Sequence, residues 1–133
     1  MENIKINFLH ICENAFFAED KKLNIIGIFD RIYAKGFPAM HSRFSIALSV
    51  TGRIYDKKII IEMMSPDGVP LFSSTLKNIE LRNERKTNLV LNFFAVTFLK
   101  SGNYKIIFKV DDEIISSDRQ DMITVEQEVG TVK

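Results

Sequence analysis

The side chains best suited to chemistry in this 133-residue chain are two histidines, His10 and His41, and one cysteine, Cys12. His10 and Cys12 stand two apart, so on an extended segment they project from one face. His41 brings the soft and imidazole ligands to three, the number a catalytic zinc keeps and one fewer than a structural zinc needs. The paired spacings of zinc modules do not accompany them, and cysteine is by default among the most buried residue types. The pattern assigns His10 and Cys12 to a strand, and neither a metal nor a cofactor is expected.

His41 is also the candidate proton carrier. With a carboxylate such as Asp30 or Glu13 it would form an acid–base pair in a polar or ligand site. No Ser, Cys and Asp arrangement marks a nucleophilic triad, so such a site would be assembled from residues distant along the chain. Asp111, Asp112, Glu113, Asp118 and Asp121 supply carboxylates of the kind calcium takes, six to eight oxygens at a time. Their spacing is not that of an EF-hand, and aspartate is an ordinary turn residue; they read as turns between strands. No phosphate-cradling glycine motif occurs. Arg82, Arg85 and Lys86 form a basic cluster that Glu80 and Glu84 interrupt, and 18 basic against 17 acidic residues leave a net charge of +1. Nucleic acid would want a larger stripe of one sign, so no nucleic-acid partner is expected.

The elements that must carry these residues follow a period of two. Ile4, Ile6, Phe8 and His10 open a strand over residues 4–12, and a polar connection, residues 13–22, contains Phe16 and Phe17. Leu23 to Phe29 is apolar on both faces around Gly27, which predicts a strand buried on both sides, running to about Tyr33. Gly27 inside it marks a bulge or the close approach of another backbone. Residues 39–43 form a short link holding His41. Phe44, Ile46, Leu48 and Val50 alternate with Ser45, Ala47 and Ser49 in a half-buried strand. Residues 58–64 make the next, with Ile59, Ile61 and Met63 inward, and Ser65-Pro66-Asp67-Gly68 is a hairpin turn. Residues 71–82 hold one strand, continuous or broken, and 83–86 a charged loop. In residues 87–99, Leu89, Leu91, Phe93 and Ala95 line one face and Val90, Phe94, Val96 and Phe98 the other. Strands over 104–110, 113–116 and 122–127 complete the chain. Eight or nine short strands with no segment of helical period predict an all-β antiparallel sandwich. It forms one domain over residues 1–127, with a flexible tail over 128–133.

At 46% hydrophobic residues the chain can fill a core. No apolar run approaches the roughly 20 residues of a membrane helix, and residues 1–17 lack the layout of a signal peptide. A lone cysteine cannot form an internal disulfide, which fits a reducing compartment; a cytoplasmic location without a membrane partner is expected.

Cys12-Glu13, then K-L-N-I-I-G-I-F-D over residues 22–30, then F-P-A-M-H over residues 37–41, resemble a family of short, single-domain bacterial proteins with no assigned function. The family's pattern has an acidic residue after an early strand, G-K-L-x-[IL]-[IL]-G-[IV]-F, and F-P-x-x-H; Lys21 stands where it often has glycine. The resemblance covers about the first third of the chain and implies an immunoglobulin-like β-sandwich of about seven to nine strands. Gly102-Asn103-Tyr104-Lys105-Ile106 is similar to the G-x-Y-x-I that opens a late strand in many such sandwiches, where the tyrosine bonds back to nearby backbone.

Strands apolar on both faces leave an excess. A two-layer sandwich buries one face of each sheet, so the second is covered by loops or by another molecule. Phe16 and Phe17 are either that cover or an exposed anchor. The expected function is a non-enzymatic protein-interaction module, binding a protein partner or a second copy through Phe16, Phe17, Phe94, Val96 and Phe98. The alternative is a small-ligand binder or hydrolase-like enzyme built around His41.

Overall fold

The computed structural model describes residues 4–52, 58–76, 86–115 and 122–127. The second half of the expected 71–82 strand, the loop residues 83–85, Asp118, Asp121 and the 128–133 tail lie outside them. The fold is all-β, with ten strands among the described residues: β1 (Lys5–Phe17), β2 (Leu23–Ile28), β3 (Arg31–Ala34), β4 (Ala39–Thr51), β5 (Ile59–Met64), β6 (Pro70–Leu76), β7 (Lys86–Phe98), β8 (Gly102–Val110), β9 (Glu113–Ile115) and β10 (Met122–Gln127). They form two sheets. One has four strands in the order β2-β1-β4-β7; the other has the order β3-β10-β8-β5-β6, with β9 paired to β8. All pairings are antiparallel except that of β3 with β10.

The core lies between the sheets and follows the alternation. Phe44, Ile46, Leu48 and Val50 of β4 meet Ile59, Ile61 and Met63 of β5 and Tyr104, Ile106, Phe108 and Val110 of β8 in one cluster. The inward residues expected of β5 are all fully buried. Glu62, on the other face of β5, is nearly buried and forms an ion pair with Lys109 of the neighbouring strand. The Ser65–Gly68 segment closes the β5–β6 hairpin, the Gly68 amide donating to the Ser65 carbonyl at 2.9 Å. Asp111 and Asp112 both have positive φ (49° and 68°), which suits the two-residue turn between β8 and β9. Thus Asp111 and Asp112 serve a turn, Glu113 opens β9, and Asp111 also accepts the Lys58 amide at 2.9 Å.

Several boundaries differ from expectation. β1 continues to Phe17, so half of the predicted polar connection is strand; the turn is only residues 18–22, where Lys21 takes φ 65°. β4 starts at Ala39, which puts His41 on a strand rather than a link. The Leu23–Phe29 run is not buried on both sides. Its residues Leu23–Ile28 form the edge strand β2, where Ile26 and Ile28 are exposed, and the chain then enters the other sheet as β3. β4 errs in the opposite direction: every residue from Phe44 to Val50 is buried, because β4 is central and both its faces are covered.

Two kinks explain much of this. Gly27 takes φ 68°, and a Cβ there would stand 2.9 Å from the Glu13 side chain. The close approach is that of a side chain, not of backbone. Ala95 takes φ 52°, a left-handed conformation unusual for a residue with a Cβ. Before it, Leu91 belongs to the core; after it, Val96 and Phe98 do. The inward parity of β7 changes from odd to even at this residue.

At the β7–β8 corner, Tyr104 Oη donates to the Lys100 carbonyl at 2.7 Å, as the G-x-Y-x-I segment implied. Its ring meets Phe98 edge-on, centroids 4.9 Å apart. Gly102 has φ 140°, and a Cβ there would lie 2.5 Å from Pro66, so the corner packs directly on the β5–β6 turn.

Candidate functional site

Alternation puts Ser45, Ala47 and Ser49 of β4 on the back of the four-stranded sheet, away from the core. All three are buried although they are small, because side chains of the flanking strands close over them. Ser45 Oγ bonds Asn92 Oδ1 at 2.6 Å, and Asn7 Nδ2 donates to Ser49 Oγ at 3.3 Å and to Thr51 Oγ1 at 2.7 Å. Towards the hairpin, Cys12, Ala15 and Ala47 form a second apolar cluster, against which Leu23, Ile25 and Val90 pack. The chain's own β1–β2 hairpin therefore supplies part of the cover expected from loops or a partner.

Cys12 is fully buried in that cluster, with its Sγ 3.5 Å from the Ser45 carbonyl oxygen. Burial pushes its thiol up from the ordinary value, only partly offset by a backbone hydrogen bond at Asn14. It is a neutral packing residue, not a poised nucleophile. His10, two positions away, stacks on Phe8 with ring centroids 5.2 Å apart. Among the described residues no group of three or more His, Cys, Asp or Glu side chains is arranged to hold a metal ion.

Beyond the cluster one row of residues crosses the sheet. Ile26 stands opposite Asn14, and Arg43 stands opposite Phe94. Arg43 joins the halves: its Nη2 donates to Asn14 Oδ1 at 2.8 Å, and its guanidinium lies 5.7 Å from the centre of the Phe94 ring. The row Ile26–Asn14–Arg43–Phe94 thus has a cation held at its middle and exposed apolar groups at both ends. Phe94 is 67% exposed; Phe16, Phe17 and Ile28 are exposed nearby on β1 and β2. Such a mixture of aromatic, aliphatic and arginine side chains is the composition of protein-binding surfaces.

Of the five residues expected to bind a partner, Phe16, Phe17 and Phe94 are exposed, Phe16 and Phe17 from the end of a strand rather than from a loop. Val96 and Phe98 are not. The kink at Ala95 turns both into the core, where Phe98 is 0% exposed, so neither contributes to an outer face. Ile26, Ile28, Asn14 and Arg43 were missed. Gly27 in an apolar run was the available signal for the first two, since a kinked strand cannot keep both faces buried; for Asn14 and Arg43 no local signal existed.

His41 is the other candidate. Its ring lies near Phe29 (5.7 Å) and Phe44 (6.0 Å). It borders a cleft of about 470 Å³ lined also by Tyr33, Lys35, Gly36, Met40 and Phe98. Neither Asp30 nor Glu13 lines that cleft. Asp30 is exposed and its carbonyl accepts the Thr124 amide at 2.8 Å, while Glu13 lies over Gly27. The expected histidine–carboxylate set is not brought together there.

The fold and this surface define an all-β two-sheet domain whose most distinctive feature is an exposed sheet face rather than a cluster of reactive groups. The chain belongs to a family of unknown function, DUF6941, whose profile matches residues 7–119. No curated protein matches the chain. Among the described residues no helix is long and apolar enough to cross a membrane.

Proposed function

We propose that this chain is a non-enzymatic protein-interaction module of immunoglobulin-like topology. Its contact surface is the β1–β2 hairpin together with the Phe94 end of β4 and β7. The observation that carries the reading is the row Ile26–Asn14–Arg43–Phe94, a positioned arginine between exposed apolar groups on a sheet face. Arginine and aromatic residues are the groups that most often dominate binding energy at interfaces. The strand order supports the topology: β4 and β7 are neighbours in one layer, β5, β8 and β10 in the other, and β3 runs parallel to β10. The Tyr104 hydrogen bond at the β7–β8 corner supports it too. The lone buried Cys12 is consistent with a cytoplasmic, reducing setting.

The test is a photo-activatable phenylalanine analogue placed at Phe17 or Phe94 in cells that make the chain, with Thr75 of β6 in the opposite sheet as control. Adducts of defined mass from positions 17 and 94, and not from 75, are expected. No protein adduct from either position, or equal labelling from Thr75, refutes the reading.

A second reading, a small ligand in the His41 cleft, is favoured by one observation: its 470 Å³ falls in the range of small-molecule sites, with Tyr33, Lys35 and His41 at its wall. The absence of Asp30 and Glu13 from that wall, and the aromatic packing of His41, make it the weaker. Chemical-shift changes confined to Tyr33, Lys35 and His41 on screening small anions would reverse the order.

A further inference from the structure

We infer that the free edge of β2 is taken by a second copy of this chain, the two β2 strands pairing antiparallel about a two-fold axis and joining their four-stranded sheets. This deepens the interaction-module reading and rests on it. β2 pairs with β1 on one side, and no described strand pairs with its other side. Natural edges are usually guarded by lysine, proline or cover. The β6 edge opens with Pro70. Leu23–Ile28, by contrast, carries neither a charge nor a proline and leaves Ile26 and Ile28 exposed.

The charges that flank this neutral stretch name the occupant. Lys21 and Lys22 precede it and Asp30 follows it, all exposed. Lys22 has Asp20 at 3.5 Å, whereas neither Lys21 nor the Asp30 carboxylate has an ion-pair partner among the described residues. An antiparallel pairing with its two-fold axis at Ile26 sets Asn24 of one copy against Ile28 of the other, residues that share a face. Ile25 then faces Gly27, whose lack of a side chain leaves room at the kink. The same register carries Lys22 of each copy, with Lys21 next to it along the chain, to Asp30 of the other, twice by symmetry. Parallel pairing in register would instead oppose like charges, which destabilises. The net charge of +1 adds little repulsion between copies.

Sedimentation equilibrium at low salt tests this on the full chain, with wild type, K21E/K22E, D30K and an equimolar mixture of the two variants. The wild type dimerises. Each variant alone opposes like charges at both ends and self-associates about tenfold more weakly or worse. The mixture restores a 1:1 dimer, because both ends are complementary again, and that recovery also shows that both variants are folded. A wild type that stays monomeric to roughly 1 mM overturns the proposal. So does a dimer that neither variant weakens, or a mixture that fails to recover while both variants keep the wild-type circular dichroism. If either charge variant unfolds, I26K and I28K, at exposed positions, take their place, and wild-type association by both overturns it. A monomeric wild type leaves the interaction-module reading standing; that reading falls on the cross-linking outcomes at positions 17, 94 and 75.

Discussion

Phe94 and Phe98 stand four residues apart on β7, where simple alternation gives them one face and therefore one fate. The kink at Ala95 separates them, and their substitution by alanine measures that separation. Phe98 is fully buried, with its ring edge-on to Tyr104 at 4.9 Å. Removing it costs a transfer contribution and leaves a cavity, together about 3–5 kcal/mol. For a domain of ordinary stability, about 5–15 kcal/mol, that is a large fraction of the whole. Phe94 is two-thirds exposed and the Arg43 guanidinium lies over its ring, so Phe94→Ala costs about 0.5–1 kcal/mol. With a urea slope of about 2 kcal/mol/M, the midpoint falls by roughly 2 M for Phe98→Ala and by less than about 0.5 M for Phe94→Ala. Equilibrium urea unfolding followed by far-ultraviolet circular dichroism reads both. Equal shifts, or a larger one for Phe94, would refute the parity change at Ala95 and return Val96 and Phe98 to an outer face.

Two further outcomes follow from the core. Tyr104→Phe keeps the ring contact with Phe98 and removes only the bond to the Lys100 carbonyl, so it lowers stability by about 1 kcal/mol; a change below about 0.3 kcal/mol in the same urea assay denies the corner a stabilising role. Burial raises the Cys12 pKa above the ordinary 9.0, so the unfolded chain loses its thiol proton first as pH rises. The stability linked to the thiol is intact below the ordinary value and declines above it, towards the raised folded value. Wild type therefore loses more stability than Cys12→Ala between neutral pH and pH 10, and parallel unfolding curves for the two would contradict the burial.

Much of the fold was legible because the chain obeys the simplest rule of sheets. Ile59, Ile61 and Met63 alternate with Ile60 and Glu62, and they are inward. Ser65-Pro66-Asp67-Gly68 is a turn, and Tyr104 bonds back to its corner. What was not legible depends on which strands are neighbours. Ser45, Ala47 and Ser49 have the composition of a wet face. They are dry because β1 and β7 flank β4 and their asparagines reach across to the serines, an arrangement made by residues more than forty positions apart. Leu23–Ile28 has the composition of a central strand and is an edge, since nothing within six residues records how many partners a strand will have. The candidate surface suffered in the same way. Phe16, Phe17 and Phe94 were visible as apolar residues in excess, but Asn14 and Arg43 are ordinary polar residues until β1 and β4 set them side by side.

The apolar excess is thus distributed in three ways, and only one of them leaves something for a partner. Val96 and Phe98 are absorbed by a backbone conformation, Ala95 at positive φ, that costs local strain and returns two buried side chains. Val90, Leu23 and Ile25 are absorbed by the hairpin's packing behind the sheet. Ile26, Ile28, Phe16, Phe17 and Phe94 stay outside, the first four on the β1–β2 hairpin and Phe94 on β7, with Arg43 between them. Exposed apolar residues scattered singly need no explanation. These five lie on the β1–β2 hairpin and on the row that crosses from it to β7. The kink at Ala95 uses part of the apolar surplus inside the domain, and these five residues stay exposed on one sheet, while Tyr33, Met40, Val69, Leu99 and Ile114 are exposed elsewhere. A partner that met only the polar middle of β4 and β7 would find Asn88 and Asn92 and little to bury; one that met the hairpin end would find both apolar area and a cation already oriented by Asn14 and Phe94.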